Sequence, residues 1–134
     1  MELRSATKAD FSITLEDRPG ALAALSLKMQ EAGIELLGLW GYGGRAGTGK
    51  LYCVPKDARQ FREFAQDEGL EVEEGLTIYL SGADRGGALV ESLELIAQGG
   101  INVHAIQAIS VHGEFGCFIW ADAADWDTIA EMLS

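Results

Sequence analysis

Two hexapeptides of this 134-residue chain carry the residues best suited to hold a small polar ligand: Asp17-Arg18-Pro19-Gly20-Ala21-Leu22 and Asp84-Arg85-Gly86-Gly87-Ala88-Leu89. In each, an acid and a base stand just ahead of a glycine and an apolar pattern of helical period. A helix start offers N–H groups and the positive end of the helix dipole, both suited to a carboxylate. Gly20 and Gly87 lack a Cβ, so a ligand can approach the backbone closely and the turn can take whatever φ it needs. Asp17 and Asp84 either accept from an ammonium or hydrogen-bond their own turn and cap the helix. Arg18 and Arg85 either clamp a carboxylate through two parallel bonds or stay solvated and paired with surface acids.

The two hexapeptides are 67 positions apart, half the chain, and the same offset carries Gly33-Ile34 onto Gly100-Ile101. One small unit is therefore written twice, and repeats of this kind decide the fold. A unit of that size buries only roughly 60% of its unfolded surface, against roughly 68% for two packed together, so pairing is expected on stability grounds. The division expected is a first unit over residues 1–75, with an N-terminal extension over 1–8, and a second over 76–134.

The net charge of −11 opposes attraction to nucleic acid or an anionic membrane, so neither is an expected partner. No apolar run has the length of a membrane span, and Met1-Glu2-Leu3-Arg4 does not begin a signal peptide, which predicts a cytoplasmic protein. Cys53 and Cys117 sit in apolar strand-like runs with no CxxC spacing and read as buried free thiols.

Helices and strands follow from periodicity. Phe11 to Leu15 alternates as a half-buried strand, and Leu22, Leu25, Met29 and Ala32 line one face of a helix that Gly33 stops. Ile34 to Trp40 and Leu51 to Val54 form a hairpin. Ala58, Phe61, Phe64 and Ala65 give a second helix, and Leu70-Glu71-Val72 begins a fourth strand. The second half repeats this: Leu76 to Leu80, a helix with Leu89, Leu93, Ile96 and Ala97, strands over Ile101 to Val111 and Phe115 to Ala121, and a last helix. Trp126, Ile129, Ala130 and Leu133 form its apolar face, and Ile129 matches Phe61 at offset 68, which implies a one-residue insertion near the hairpin ends. The fold class is α+β: two tandem ferredoxin-like βαββαβ units, antiparallel sheets with helices on one face. The second unit lacks its own last strand, and residues 1–7 are the candidate to fill that edge.

The Asp-Arg-Pro-Gly-Ala-Leu turn between strand and helix, the closing glycine, and Ile101-Asn102-Val103 opening the next strand resemble the ACT family, in tandem and over nearly the whole chain. The resemblance implies a non-catalytic regulatory module that binds a small effector, usually an amino acid, where ACT units meet. In side-by-side ACT pairs the turn of one unit faces the second strand of the other. One site would then join Asp17 to Leu22 with Asn102, whose amide both donates and accepts. The other would join Asp84 to Leu89 with Glu35, an acceptor only, which suits a more cationic ligand. Gly86 in place of Pro19 also loosens the second turn. A homodimer and a metabolic enzyme partner are expected, as is no cofactor. The alternative is an ACT-type assembly module without ligand.

Gly41 to Leu51 imitates phosphate-binding loops. Leu51, however, stands where a Ser or Thr should hold magnesium, and a strand follows rather than a helix. His104 and His112 form no nucleophile-base or metal-ligand spacing, so no catalytic residue and no metal site is expected. His104, the repeat counterpart of Leu37, is expected to be packed or at a strand edge, on the same face as Asn102 by alternation.

Overall fold

The structure, a computed structural model, describes residues 3–16, 18–43, 47–83 and 87–133. In chain order they form β1 (Leu3–Glu16), α1 (Ala21–Glu31), β2 (Leu36–Gly43), β3 (Thr48–Pro55), α2 (Ala58–Asp67), β4 (Val72–Ala83), α3 (Ala88–Gln98), β5 (Val103–Val111), β6 (Glu114–Ala121) and α4 (Trp126–Leu133), with a 3-10 turn at Ala123–Asp125. The chain divides into two compact units, Ala9–Gly75 and Met1–Lys8 with Leu76–Ser134. The first eight residues thus group with the later stretch rather than extending the earlier one.

In the unit Ala9–Gly75 the strands run in the order β2-β3-β1-β4. Antiparallel register sets Phe11 opposite Cys53 and Ile13 opposite Leu51, and these four point to one face. Leu25 and Met29 from α1 and Phe61, Phe64 and Ala65 from α2 complete the core on that face. Phe61 is fully buried, its ring 4.5 Å from Phe11 and 5.9 Å from Phe64. The Asp57 carboxylate caps α2 by accepting from Gln60 N–H at 3.2 Å. Gln60 Nε2 in turn donates to the carbonyls of Ala32 and Gly33 at the end of α1. Leu22 and Ala32, expected on the buried face of α1, are exposed, Leu22 by 49%. The buried stripe of that helix is only Leu25 and Met29 wide.

In the other unit the order is β1-β4-β6-β5. Ile78 and Leu80 pair with Ile119 and Cys117, and Ile96 of α3 and Ile129 of α4 cover that face. The early residues of β1 occupy the fourth place in this sheet. Thr77, buried on the opposite face, donates its hydroxyl to the Ile119 carbonyl at 3.0 Å. Burial pushes the Cys53 thiol up to about 12, with Asp10 adding to it, and burial pushes Cys117 up to about 11. Both thiols are unreactive at neutral pH.

Two expectations need correction. The strand beginning at Leu70-Glu71-Val72 and the strand Leu76 to Leu80 are expected as the last of one unit and the first of the next. They are one strand, β4. A Cβ on Gly75 would lie 3.0 Å from the Asp10 carboxylate, so the glycine permits a close approach within the sheet instead of ending it. The single insertion near the hairpin ends is the net of two changes. Leu39 and Ile106 oppose Cys53 and Ile119, so the repeat offset falls from 67 to 66 across the hairpin. It then rises to 68 at Phe61 and Ile129, across the 3-10 turn.

Arg62 on α2 grips Glu74 of β4, donating from Nε at 2.8 Å and from Nη2 at 2.7 Å. That hydrogen-bonded pairing holds the Glu74 carboxyl below its ordinary 4.5. A carboxyl lowered by folding contributes stability that is present above its unfolded pKa and lost as pH falls through the folded value. A carbon-detected NMR titration should therefore place Glu74 below the ordinary carboxylate range, and Arg62→Ala should return it to that range. Because both side chains are solvated, the accompanying change in melting temperature should be small.

Candidate ligand-binding turns

Both repeated turns end in a glycine that opens a helix. Gly20 caps α1 at φ +87° and Gly87 caps α3 at φ +112°, conformations that L side chains rarely adopt. Each carbonyl starts its helix, accepting from Ala24 N–H at 2.9 Å and from Glu91 N–H at 2.8 Å. A glycine cap carries no side-chain oxygen to satisfy the first amides. Among the described residues, a Cβ built on either glycine would meet nothing within 4 Å.

The two turns differ in charge. The first turn of α1 contains no acid, whereas Glu91 sits in the first turn of α3. A carboxylate ligand would meet the bare positive end of the dipole at α1 and a like charge at α3. Around the first turn, Arg18 N–H donates to the Glu16 carbonyl at 3.0 Å and Ala21 N–H to the Arg18 carbonyl at 3.3 Å. The Arg18 guanidinium pairs with Glu16 at 2.6 Å, both side chains well exposed. Of the two readings of Arg18, this geometry is that of a surface pair. Pro19 is exposed, Ala21 half-buried, and Leu89 packs against the core of its unit. Asp17, Asp84, Arg85 and Gly86 lie outside the described residues, as does the Ala88 side chain.

Glu35 and Asn102 both lie just ahead of an edge strand, at the far end of an 11-residue helix from the turn of their own unit. That separation is roughly 16 Å at 1.5 Å per residue, so neither unit by itself brings its turn and its strand-end residue together. Asn102 is exposed. Glu35 is also exposed and pairs with Lys56 at 3.5 Å. It borders an open groove of about 380 Å³ between α1 and β2, walled by Ser26, Met29, Ile34, Leu36 and Leu39. Periodicity did not single out this groove. Its one legible sign was Leu39, an apolar residue of the strand expected over Ile34 to Trp40, and its exposure depends on β2 being an edge.

His104 is not packed. Its Nε2 lies 2.7 Å from Asp122 Oδ1 in an exposed pair. A bulge between Val103 and Ala105 breaks the alternation that would have aligned it with Asn102. Among the described residues, no group of three or more His, Cys, Asp or Glu is placed to hold a metal ion. No helix among the described residues is long and apolar enough to cross a membrane.

No protein-family model matches the sequence, and no curated protein matches it. Solved structures do. A protein of Bacteroides thetaiotaomicron superposes with a TM-score of 0.82 at 19% identity, covering 96% of this chain and 88% of its own. The ligand-free regulatory subunit of aspartate kinase from Thermus thermophilus gives 0.67 at 15%, covering 98% and 93%. Escherichia coli aspartokinase III, in complex with lysine and aspartate, gives 0.56 at 17%, with 99% of this chain on 32% of that one.

Gly20 provides a test of the turn. Because its Cβ position is open, Gly20→Ala should cost only the backbone term, about 1–2 kcal/mol in urea unfolding. Gly20→Asn should cost less, since asparagine tolerates the left-handed region. Equal stability of the alanine variant and the parent would contradict the cap geometry. Strand order, glycine-capped helix starts and the superposed structures agree: the chain has the tandem ACT fold, two ferredoxin-like units of the kind found in regulatory subunits of aspartate kinase.

Proposed function

We propose that this chain is a cytoplasmic, non-catalytic regulatory module that binds an amino acid at the turn ahead of α1 and controls a partner enzyme. The observation that carries the reading is the Gly20 cap, uncrowded by the described residues and with no acid in the first turn of α1, on a fold shared with enzyme regulatory subunits. The effector carboxylate would take the amides of Gly20 and Leu22, the Ala21 amide being held by the Arg18 carbonyl. Asp17 would accept from its ammonium, and the Asn102 amide would bridge both groups. The lysine and aspartate in the superposed E. coli enzyme support an amino-acid effector, and its length beyond the matched part supports an enzyme partner. The second set, Asp84 to Leu89 with Glu35, is the weaker site, since Glu91 and Glu35 both add negative charge where a carboxylate would lie.

A panel of the twenty amino acids in thermal unfolding tests this. A ligand at 100 times its dissociation constant stabilises by about 2.7 kcal/mol. A rise in melting temperature selective for one chemical group, abolished by Asp17→Ala or Asn102→Ala, is expected. No shift with any amino acid would favour the ligand-free assembly module instead.

We also propose a homodimer. β2 and β5, the edge strands of their units, expose apolar residues: Leu39 by 43%, Tyr42 by 57% and Ile109 by 68%. An apolar edge left bare invites strand pairing, so a partner copy is the economical cover. Light scattering at micromolar concentration should give twice the chain mass of 14.4 kDa. A strict monomer would overturn the proposal.

A further inference from the structure

The chain's cations are unevenly committed. Among the described residues Arg18, Lys28, Lys56, Arg59 and Arg62 each pair with a glutamate. Arg4, Lys8 and Lys50 have no ion-pair partner there. Two of these three line one cleft, in the unit formed by Met1–Lys8 and Leu76–Ser134. Its walls are Arg4, Ser5, Ala6 and Lys8 of β1 and Tyr79 and Ser81 of β4, around a volume of about 320 Å³.

The cleft is on the sheet face turned away from the helices. Tyr79 and Ser81 alternate with Ile78 and Leu80, which are buried under α3 and α4. Tyr79 is fixed by stacking on Phe118, ring centroids 5.1 Å apart. Among the described residues, no acidic side chain lines the cleft. In a chain of net charge −11 the arrangement sets two full positive charges beside the hydroxyls of Tyr79 and Ser81. Guanidinium and ammonium groups with hydroxyl donors between them match the oxygens of a phosphate or a paired carboxylate. The ammonium of an amino acid would find two like charges and no acceptor acid, so a zwitterion is disfavoured.

We propose that this cleft binds a compact polyanion without an ammonium group, either a phosphate or a small dicarboxylate. The site is independent of the amino-acid turn at Gly20, and neither reading needs the other.

Isothermal titration calorimetry of the full chain at low ionic strength tests it, with inorganic phosphate in one arm and malonate in the other. One saturable site is expected in at least one arm at anion concentrations up to about 10 mM, and the arm that binds names the class. Arg4→Gln with Lys8→Gln should weaken binding by about tenfold or more, and added sodium chloride should weaken it too. Tyr79→Phe keeps the ring stack and should weaken binding less. Lys50→Ala, an unpaired cation outside the cleft, should leave binding unchanged. If the double variant does not melt like the parent, the single variants take its place. No saturable heat in either arm overturns the proposal. So does undiminished binding in the folded Arg4 and Lys8 variants, or an equal loss in Lys50→Ala.

Discussion

A two-layer unit of this kind needs four strands beneath its two helices, because buried backbone N–H and C=O groups must be paired and an apolar face must be covered along its whole width. The stretch from Ala9 to Gly75 contains all four in sequence. In the other unit β4, β6 and β5 come from the stretch after Leu76, and the fourth strand comes from the residues before Ala9. β1 is 14 residues long and β4 is 12, well beyond an ordinary strand, because each contributes one part to each unit. The turns, helix starts and edge strands are positioned by these two strands.

The paired pseudo-equivalent turns share a backbone but not an electrostatic setting. Both use a left-handed glycine to begin a helix, and neither glycine is crowded by the described residues. Among the described residues they differ at Glu91, one helical turn into α3 where α1 has no acid. Half a charge at a helix end is worth at most a kcal/mol or so to a neighbouring ion, and a like charge in the first turn can cancel it.

Much of this was legible in the sequence, for physical reasons. The repeat, the helix starts and the order of elements showed because glycine before an apolar helical pattern has few other uses, and because buried positions such as Phe11, Leu25, Phe61, Ile78 and Ile129 keep strict period. Three features were not legible. The union of the two strand segments into β4 was hidden by Glu73-Glu74-Gly75, whose glycine serves a close approach to Asp10. The exposure of Leu22 was hidden because periodicity gives the spacing of an apolar stripe and not its width. His104 escaped because a bulge between Val103 and Ala105 cancels alternation.

The discontinuous unit also has a history in time. Residues 3–8 leave the ribosome well before the strand they pair with, since their place beside residues 76–83 exists only about 70 residues later, a delay of roughly 4–15 s at ordinary elongation rates. Ala9–Gly75 can fold meanwhile, since its strands and helices are contiguous in sequence. The early strand must wait as an unpaired edge, the state most open to wrong pairing and aggregation. Arg4 and Lys8 lie on that waiting segment, and charge on an idle edge is what keeps a nascent strand from finding the wrong neighbour.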